Sequence, residues 1–280
     1  MARIISAVVF LPILIAAILV GSPIYFTALA GLAILFGLIE YYALTDRVGA
    51  RAGRVQGVLA SAVIVVAFYL GRPEFIPASL AALVVIDLTV HLFGSSDLRG
   101  AVLATAATVF GVVYVALMGG YLVALRVVAV GVTAIHISDK QVIDLSAVLL
   151  SFFFLIVFAG DTGAYYVGRT IGRNKLAPRV SPGKTVEGAV GGLVTNVAAA
   201  LAAHYTFFPQ LPIPHAVTLA VAMGVIGQIG DLCESMLKRG AQAKDAGQII
   251  PGHGGVLDRL DSILFNAPVL YYYYVYFFPK

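Results

Sequence analysis

The chain has 280 residues, of which 60% are hydrophobic and only 11% are charged, and its formal net charge at pH 7 is +4. About a quarter of the residues of a soluble globular domain are charged, so this composition excludes that class of protein. A mean hydropathy of +0.97 indicates an integral membrane protein.

Nine apolar runs follow one another along the chain. A bilayer core about 30 Å thick needs roughly 20 apolar residues per helix. In chain order the runs cover residues 4–20, 23–44, 55–70, 75–93, 101–123, 142–160, 186–208, 215–236 and 260–278. The fifth run stays apolar as far as Val132, which leaves room for a short extra or re-entrant helix. We therefore predict an all-α polytopic membrane protein with about nine transmembrane helices.

The basic residues predict the orientation of these helices. Only Arg3 precedes the first run and no small-residue cleavage site follows it, so we expect a retained helix rather than a signal peptide. If the N-terminus is cytoplasmic, 14 of the 18 Lys and Arg residues fall on the inside. The positive-inside rule therefore predicts that orientation. The net positive charge follows from this topology, with anionic lipid headgroups as a second reason, and it does not indicate a nucleic-acid partner.

Charged residues are concentrated in the second half of the chain. Residues 1–158 are predicted to form scaffold helices. Asp87 and His91 are the exception, because this pair is either a proton or ion site or a satisfied pair near the membrane surface. Half of the charged residues, 16 of 32, lie in three segments between Asp161 and Asp261. On the predicted topology all three segments meet the cytoplasmic interface. We therefore predict that residues 159–280 form the functional region.

The motif "SPGKT" (residues 181–185) resembles the end of a Walker A loop, but Pro178 stands where that motif needs glycine. What remains is a glycine-containing loop with Lys184, followed by a helix that begins near Thr185. Exposed amides and a helix N-terminus favour a bound phosphate. A capped helix whose lysine touches lipid headgroups explains the segment equally well.

The eighth run carries polar residues on one helical face. The spacing of Asp231, Glu234, Ser235 and Lys238 places them together, and glycines at 224, 227 and 230 favour close helix packing. A carboxylate at the depth of Asp231 must be paired, hydrated or bound to a metal. A plain ion pair with Lys238 or Arg239 is the alternative to a metal site.

The ninth run is preceded by "PGHGGVLDRLD" (residues 251–261). The small residues around His253 suit a backbone that approaches a ligand closely, and His253 itself suits a hydrogen-bond donor or a local structural role. Asp258 and Asp261 share a face at the start of the helix. If Asp258 comes near Asp231, the two carboxylates and their basic neighbours would suit Mg²⁺ and phosphate. These residues indicate phosphoryl or nucleotidyl transfer, with phosphate contacts from Lys238, Arg239, Lys244 and Arg259.

These residues also carry a resemblance to a known family. Ser235, Lys238, Arg239, Lys244, Asp245, Gly247 and "PGHGGVLDRLD" resemble the C-terminal signature of CDP-diacylglycerol synthases, also called phosphatidate cytidylyltransferases. "SPGKTVEG" and "GDTGAYYVGR" are similar to upstream segments of that family. The resemblance covers the last 120 residues, and the N-terminal helices only in general character.

The resemblance implies that CTP reacts with phosphatidate to give CDP-diacylglycerol and pyrophosphate. It further implies Mg²⁺, K⁺ as a second cation, membrane lipids around a homodimer, and an active site on the cytoplasmic side of a prokaryotic inner membrane. It assigns Asp231 and Asp258 to the metal and, with Lys238 and Arg239, to catalysis. The residues assigned to substrate binding are Asp161, Ser181, Lys184, Ser235, Lys244, Asp245, His253, Gly254, Gly255, Arg259 and Asp261.

Two other functions are compatible with the same features. A CTP-dependent lipid kinase would use similar groups but would transfer the γ-phosphate to a lipid alcohol. An ion-coupled transporter could bury Asp231, but the polar residues cluster at one membrane face and no inverted repeat is evident.

Overall fold

The computed structural model describes residues 2–19, 22–94, 98–138, 141–249 and 254–278. Ten α-helices account for most of these residues, and each of the nine predicted runs overlaps helix, although the sixth run begins in a strand. The helices are α1 (Ala2–Leu19), α2 (Pro23–Arg47), α3 (Arg54–Tyr69), α4 (Phe75–Gly94), α5 (Leu98–Gly111), α6 (Met118–Val127), α7 (Leu145–Ile171), α8 (Val186–Thr206), α9 (Ile213–Gly240) and α10 (Leu257–Tyr276).

The fifth run is one continuous helical stretch. A π-helical turn over Val112–Leu117 joins α5 to α6. Residues 128–132 then form a turn, so the described chain has no extra helix there. The apolar character up to Val132 belongs to this turn and not to a re-entrant segment.

Two short antiparallel hairpins interrupt the helices. Strand β1 (Thr133–Ser138) pairs with β2 (Gln141–Asp144), and β3 (Lys175–Ala177) pairs with β4 (Ser181–Thr185). The sequence did not predict either hairpin. The all-α class therefore describes the long apolar helices, with the hairpins added in the connections.

Six of the described helical stretches are long and apolar enough to cross a membrane: Pro23–Arg47, Phe75–Gly94, Gly100–Val127, Leu145–Ile171, Val186–Thr206 and Ile213–Gly240. Phe10–Leu19 and Arg54–Tyr69 are apolar but shorter. An integral membrane protein is confirmed in this sense, because only a helix or a closed barrel satisfies its backbone within lipid. The count of nine spans and the orientation stay predictions.

The chain forms two compact units, and the first comprises Met1–Val127 and Leu237–Leu260. Its core contains the buried rings of Tyr41 and Tyr42 on α2. The Tyr42 hydroxyl donates to the Thr108 carbonyl oxygen at 3.1 Å. Gly111 lies so close to these rings that a Cβ there would be 2.7 Å from the Tyr41 ring. Glycine at this position is therefore what lets the helix backbone approach the two rings.

The second unit comprises Val128–Met236 and Asp261–Lys280. Helices α7 and α8 approach closely: a Cβ at Gly188 would be 2.8 Å from the Ala164 carbonyl oxygen. On α9, Gly224, Gly227 and Gly230 meet residues of α8 and α10 at similarly short distances. The predicted close packing behind α9 is confirmed. Helix α7 also runs to Ile171, so "GDTGAYYVGR" is helical rather than a loop.

Candidate functional site

The first unit contains a part-buried ion pair between α9 and α10. Lys238 Nζ donates to Asp258 Oδ1 at 2.6 Å, and the two side chains are 13% and 7% exposed. The backbone N–H groups of Ala246 and Gly255 both donate to Asp258 Oδ2, at 3.0 and 2.7 Å. A carboxylate has about four acceptor positions, so three of those on Asp258 are filled by this chain.

The groups around Asp258 explain why its side chain is ionised. Asp258 precedes the apolar run that starts at Leu260. Burial acts to raise the pKa of Asp258, but Lys238 and the Gly255 and Ala246 amides outweigh burial and hold the pKa below its ordinary value. Asp258 is therefore a carboxylate at neutral pH, and it fixes both the described part of the signature loop (residues 241–249 and 254–256) and the ammonium of Lys238.

Gly254 and Gly255 allow the loop to reach this carboxylate. Gly254 has a φ of +83°, which favours glycine, and a Cβ there would be 2.8 Å from Asp258 Oδ2. Gly255 is buried. Gly254 and Gly255 of this motif thus serve close approach, here to the chain's own side chains. His253, the predicted hydrogen-bond donor of this motif, lies outside the described residues.

Four charged residues in and beside the signature loop are exposed to solvent. Arg239, Lys244, Asp245 and Arg259 are exposed, and Arg239 Nη1 donates to the Ala243 carbonyl oxygen at 3.2 Å. The positive charges of Arg239, Lys244 and Arg259 can therefore meet an anion from solvent. Ser235, on α9 in the second unit, is half-buried. Its predicted role in substrate binding stays a prediction.

The sequence analysis missed one side chain at this loop. Glu40 on α2 is only 4% exposed, and its Oε2 accepts the backbone N–H of Leu257 at 2.8 Å. The residue was placed among scaffold helices. A single acidic residue within an apolar run was the signal that could have identified it.

The second unit contains a different ion pair. Lys184 Nζ bonds Asp231 Oδ2, and both side chains are about a quarter to a third exposed, at 25% and 30%. Lys184 and Ser181 lie on strand β4, and Thr185 caps α8 by accepting the Gly188 amide at 3.1 Å. The predicted helix start at Thr185 is confirmed. "SPGKT" is a hairpin strand rather than a phosphate-binding loop of the Walker type.

Further carboxylates surround that pair. Asp261 lies within electrostatic range of Asp231, Asp161 and Lys184. The Ser262 backbone N–H donates to Asp261 Oδ1 at 2.6 Å. This carboxylate cluster (Asp161, Asp231 and Asp261) has Lys184 among its counter-charges. It brings together three residues that the sequence assigned separately to metal and substrate.

The carboxylate cluster fits a hard cation in its chemistry. Mg²⁺ prefers oxygen ligands and usually takes one or two protein carboxylates, completing its shell with water and substrate oxygens. Asp231 suits that role. Within the described ranges no three His, Cys, Asp or Glu side chains are grouped to hold a metal by themselves. The predicted pairing of Asp231 with Asp258 stays a prediction.

Asp87 and His91 form a separate pair on α4. Asp87 is fully buried, and His91 Nδ1 lies 3.4 Å from its Oδ2 and 2.8 Å from its carbonyl oxygen. His91 also lines a cavity of about 430 Å³ beside Arg51. Both carboxylate oxygens of Asp87 are buried without a hydrogen-bond partner among the described residues, so the choice between a satisfied pair and an ion site stays open.

Comparison with known proteins places these features in a family. A model of the cytidylyltransferase family matches residues 1–277. The chain belongs to this cytidylyltransferase family. The match includes the N-terminal helices, which the sequence resemblance reached only in general character.

The chain is also similar to relatives that carry the name phosphatidate cytidylyltransferase. One from Bacillus subtilis (strain 168) is 49% identical over 120 residues, which is 42% of this chain and 44% of the relative. One from Haemophilus influenzae is 48% identical over 134 residues, 46% of each chain. One from Synechocystis is 33% identical over 293 residues, 99% of this chain and 97% of the relative. The first two alignments thus span less than half of those relatives, and the third spans nearly all of it.

Proposed function

We propose that this cytidylyltransferase transfers CMP from CTP to phosphatidate, releasing pyrophosphate and forming CDP-diacylglycerol for phospholipid biosynthesis. The observation that carries the proposal is the match to one family over residues 1–277. The near full-length relative named phosphatidate cytidylyltransferase supports the choice of substrates.

The chemistry is a displacement at the α-phosphorus of CTP. A phosphate oxygen of phosphatidate forms a new bond to that phosphorus, and the bond to the bridging oxygen breaks, so pyrophosphate leaves with the electron pair. Both reactants are anions and repel each other. Lys238 and Arg239, with the exposed Lys244 and Arg259, would offset that charge and orient the phosphates. Lys184 and Ser181 on β4 would add contacts to one substrate.

When bound, Mg²⁺ would supply positive charge that offsets the α-phosphate and the leaving pyrophosphate. On the resemblance we assign Asp231 and Asp258 to it, with K⁺ as a second cation. The carboxylates of Asp161 and Asp261 near Asp231 support this assignment, because grouped negative charge attracts a cation. Asp258 would offer its remaining acceptor position while Lys238 and two amides hold it.

The protein would act in the inner membrane of a prokaryote. The excess of Lys and Arg on one set of loops supports nine spans, a cytoplasmic N-terminus and a cytoplasmic active site. The family resemblance supports a homodimer. Membrane lipids would then supply phosphatidate laterally, and the cytoplasm would supply CTP.

The test uses purified protein in detergent with phosphatidate, Mg²⁺ and CTP labelled at either the α- or the γ-phosphorus. We expect α-label to enter the organic phase and γ-label to remain in water as pyrophosphate. Chelation by EDTA should stop the transfer, and added Mg²⁺ should restore it. Transfer of γ-label to an added lipid alcohol would indicate a kinase instead. A folded protein that transfers neither label would overturn the proposal and favour a transporter.

A further inference from the structure

Glu40 is a carboxylate in an unfavourable environment. It lies on α2, within a helix that is long and apolar enough to span a membrane, and only 4% of its surface is exposed. Burying a charged or polar carboxyl group costs free energy unless other groups compensate it. A buried carboxyl group is therefore expected to have a specific partner. The contacts of Glu40 identify the segment of the first unit that it stabilises.

The partner is the start of α10. Glu40 Oε2 accepts the Leu257 backbone N–H at 2.8 Å, and Leu257 is the first residue of that helix. The first four N–H groups of a helix have no acceptor within the helix, and negative charge near a helix N-terminus is favourable. Glu40 therefore caps α10 from another helix.

The signature loop also packs against the same side chain. A Cβ placed on Gly247 would be 2.5 Å from Glu40 Cδ, and one on Gly255 would be 2.7 Å from that atom. Such distances are too short for any real Cβ, so the loop backbone touches the carboxyl group at two points. Neither glycine has a positive φ, so their need for glycine comes from this contact.

These contacts link Glu40 to Asp258 and Lys238, which are residues of the proposed site. Gly255 donates its N–H to Asp258, and Asp258 binds Lys238. Glu40 thus holds the loop backbone whose amides orient Asp258, and through Asp258 it fixes the ammonium of Lys238. A displacement of about 1 Å in such a group can cost 100-fold in rate.

We propose that Glu40 is a positioning residue for cytidylyl transfer: it anchors the signature loop at Gly247, Gly255 and Leu257 and so places Asp258 and Lys238. This inference rests on the proposed function for its kinetic part. Its structural part, the anchoring of the loop, can be measured without activity.

The experiment compares Glu40→Ala, Glu40→Gln and Thr45→Val by transfer of α-label from CTP. Thr45→Val is the matched control, because it removes a buried hydroxyl from the same helix that, among the described residues, bonds the Tyr42 carbonyl oxygen of its own helix. We expect Glu40→Ala to lower kcat/KM by about 100-fold. Glu40→Gln should retain most activity, because its amide oxygen still accepts the Leu257 N–H. Thr45→Val should match the wild type.

Hydrogen exchange of residues 241–258, followed by mass spectrometry, is the second readout. We expect faster exchange in Glu40→Ala and unchanged exchange in Glu40→Gln and Thr45→Val. If Glu40→Ala exchanges and reacts like Thr45→Val, the inference is wrong. A wild-type protein without transfer activity would overturn the proposed function, and exchange would still decide whether Glu40 anchors the loop.

A double mutant distinguishes loss of the contact between Glu40 and the loop from a nonspecific loss of protein stability. Gly247→Ala places a methyl group against Glu40 and should reduce kcat/KM, whereas Gly240→Ala, which meets nothing within 4 Å, should not. Removing the Glu40 carboxyl removes that clash. The double variant Glu40→Ala/Gly247→Ala should therefore be no less active than Glu40→Ala alone. Fully additive losses would contradict direct contact.

Discussion

Asp258 and Lys238 compensate each other in a site that is largely shielded from water. Removing one partner of a buried ion pair costs more than removing both, because the remaining charge is left uncompensated. We expect Asp258→Asn and Lys238→Met each to lower kcat/KM by at least about 100-fold. Asp258→Asn should also loosen the loop, since the single amide oxygen cannot accept from Lys238 and from both the Ala246 and Gly255 N–H groups.

The check is a double-mutant cycle measured by both activity and unfolding. The double variant should lose less free energy of unfolding than the sum of the two single variants. Losses that simply add would mean that the two side chains act independently. A fully active Asp258→Asn protein would overturn the assignment of Asp258 to the site.

For the ion pair of Lys184 and Asp231, we predict that a substitution affects activity more than the free energy of unfolding. Their ion pair is part-exposed, and exposed pairs contribute about 0–1 kcal/mol. Lys184→Ala should therefore barely change the free energy of unfolding. It should lower kcat/KM, because the proposed phosphate contact and a counter-charge of the carboxylate cluster are lost. Lys175→Ala, an exposed lysine in the same hairpin, is the control. Equal activities of the two variants would argue against Lys184 as a substrate contact.

The charged residues of the site were predictable to different degrees. Asp258 and Lys238 stand in a polar segment between apolar runs, and Asp231 lies near the polar end of one run, so composition alone draws attention to them. Glu40 lies 217 residues before its partner Leu257. Near the end of its run it is followed closely by Asp46 and Arg47, so the sequence suggests only an approach to the membrane surface. Its role depends on a backbone amide, which no sequence pattern records.

The helices were predictable because lipid leaves few alternatives. An apolar run of about 20 residues must satisfy its own backbone, so it forms a helix. The β3–β4 hairpin has no such constraint, and "SPGKT" has no alternation of apolar and polar residues that would indicate a strand. The polar end of α7, as far as Ile171, was missed because hydropathy ends before the helix does. Its extension is stabilised by contact with α8 rather than by apolar character.

Close packing of α7 on α8 gives a prediction about these two helices. Gly188→Ala would place a methyl group 2.8 Å from the Ala164 carbonyl oxygen and 3.1 Å from Gly168 Cα. Backbone atoms cannot move aside as side chains do, so the helices must separate. We expect a loss of about 1–3 kcal/mol in the free energy of unfolding, measured by SDS titration in mixed micelles. Gly183→Ala in β4 meets nothing within 4 Å and should unfold like the wild type.

The two compact units divide the chain in a way that its charge distribution does not suggest. Charge predicted a scaffold over residues 1–158 and a functional region over 159–280, and that functional division stays a prediction. By contact, Leu237–Leu260 belongs with Met1–Val127. The reason is physical: the signature loop is polar and glycine-rich, so it cannot form a core of its own, and it packs on α2 through Glu40. The sequence shows how polar a segment is, but not which helices supply its partners.

The topology of the whole chain can be tested with two single cysteines. In a Cys233→Ala background, Glu74→Cys lies between α3 and α4 and Pro178→Cys lies between β3 and β4, both at exposed positions. Three of the helical stretches suited to span a membrane separate them: Phe75–Gly94, Gly100–Val127 and Leu145–Ile171. An odd number of crossings puts the two cysteines on opposite sides, and the positive-inside rule puts residue 178 in the cytoplasm. A membrane-impermeant maleimide should therefore label residue 74 in right-side-out vesicles and residue 178 in inside-out vesicles, with the cysteine-free background unlabelled. The reverse pattern would invert the orientation, and labelling of both from one side would mean that one of the three stretches does not cross.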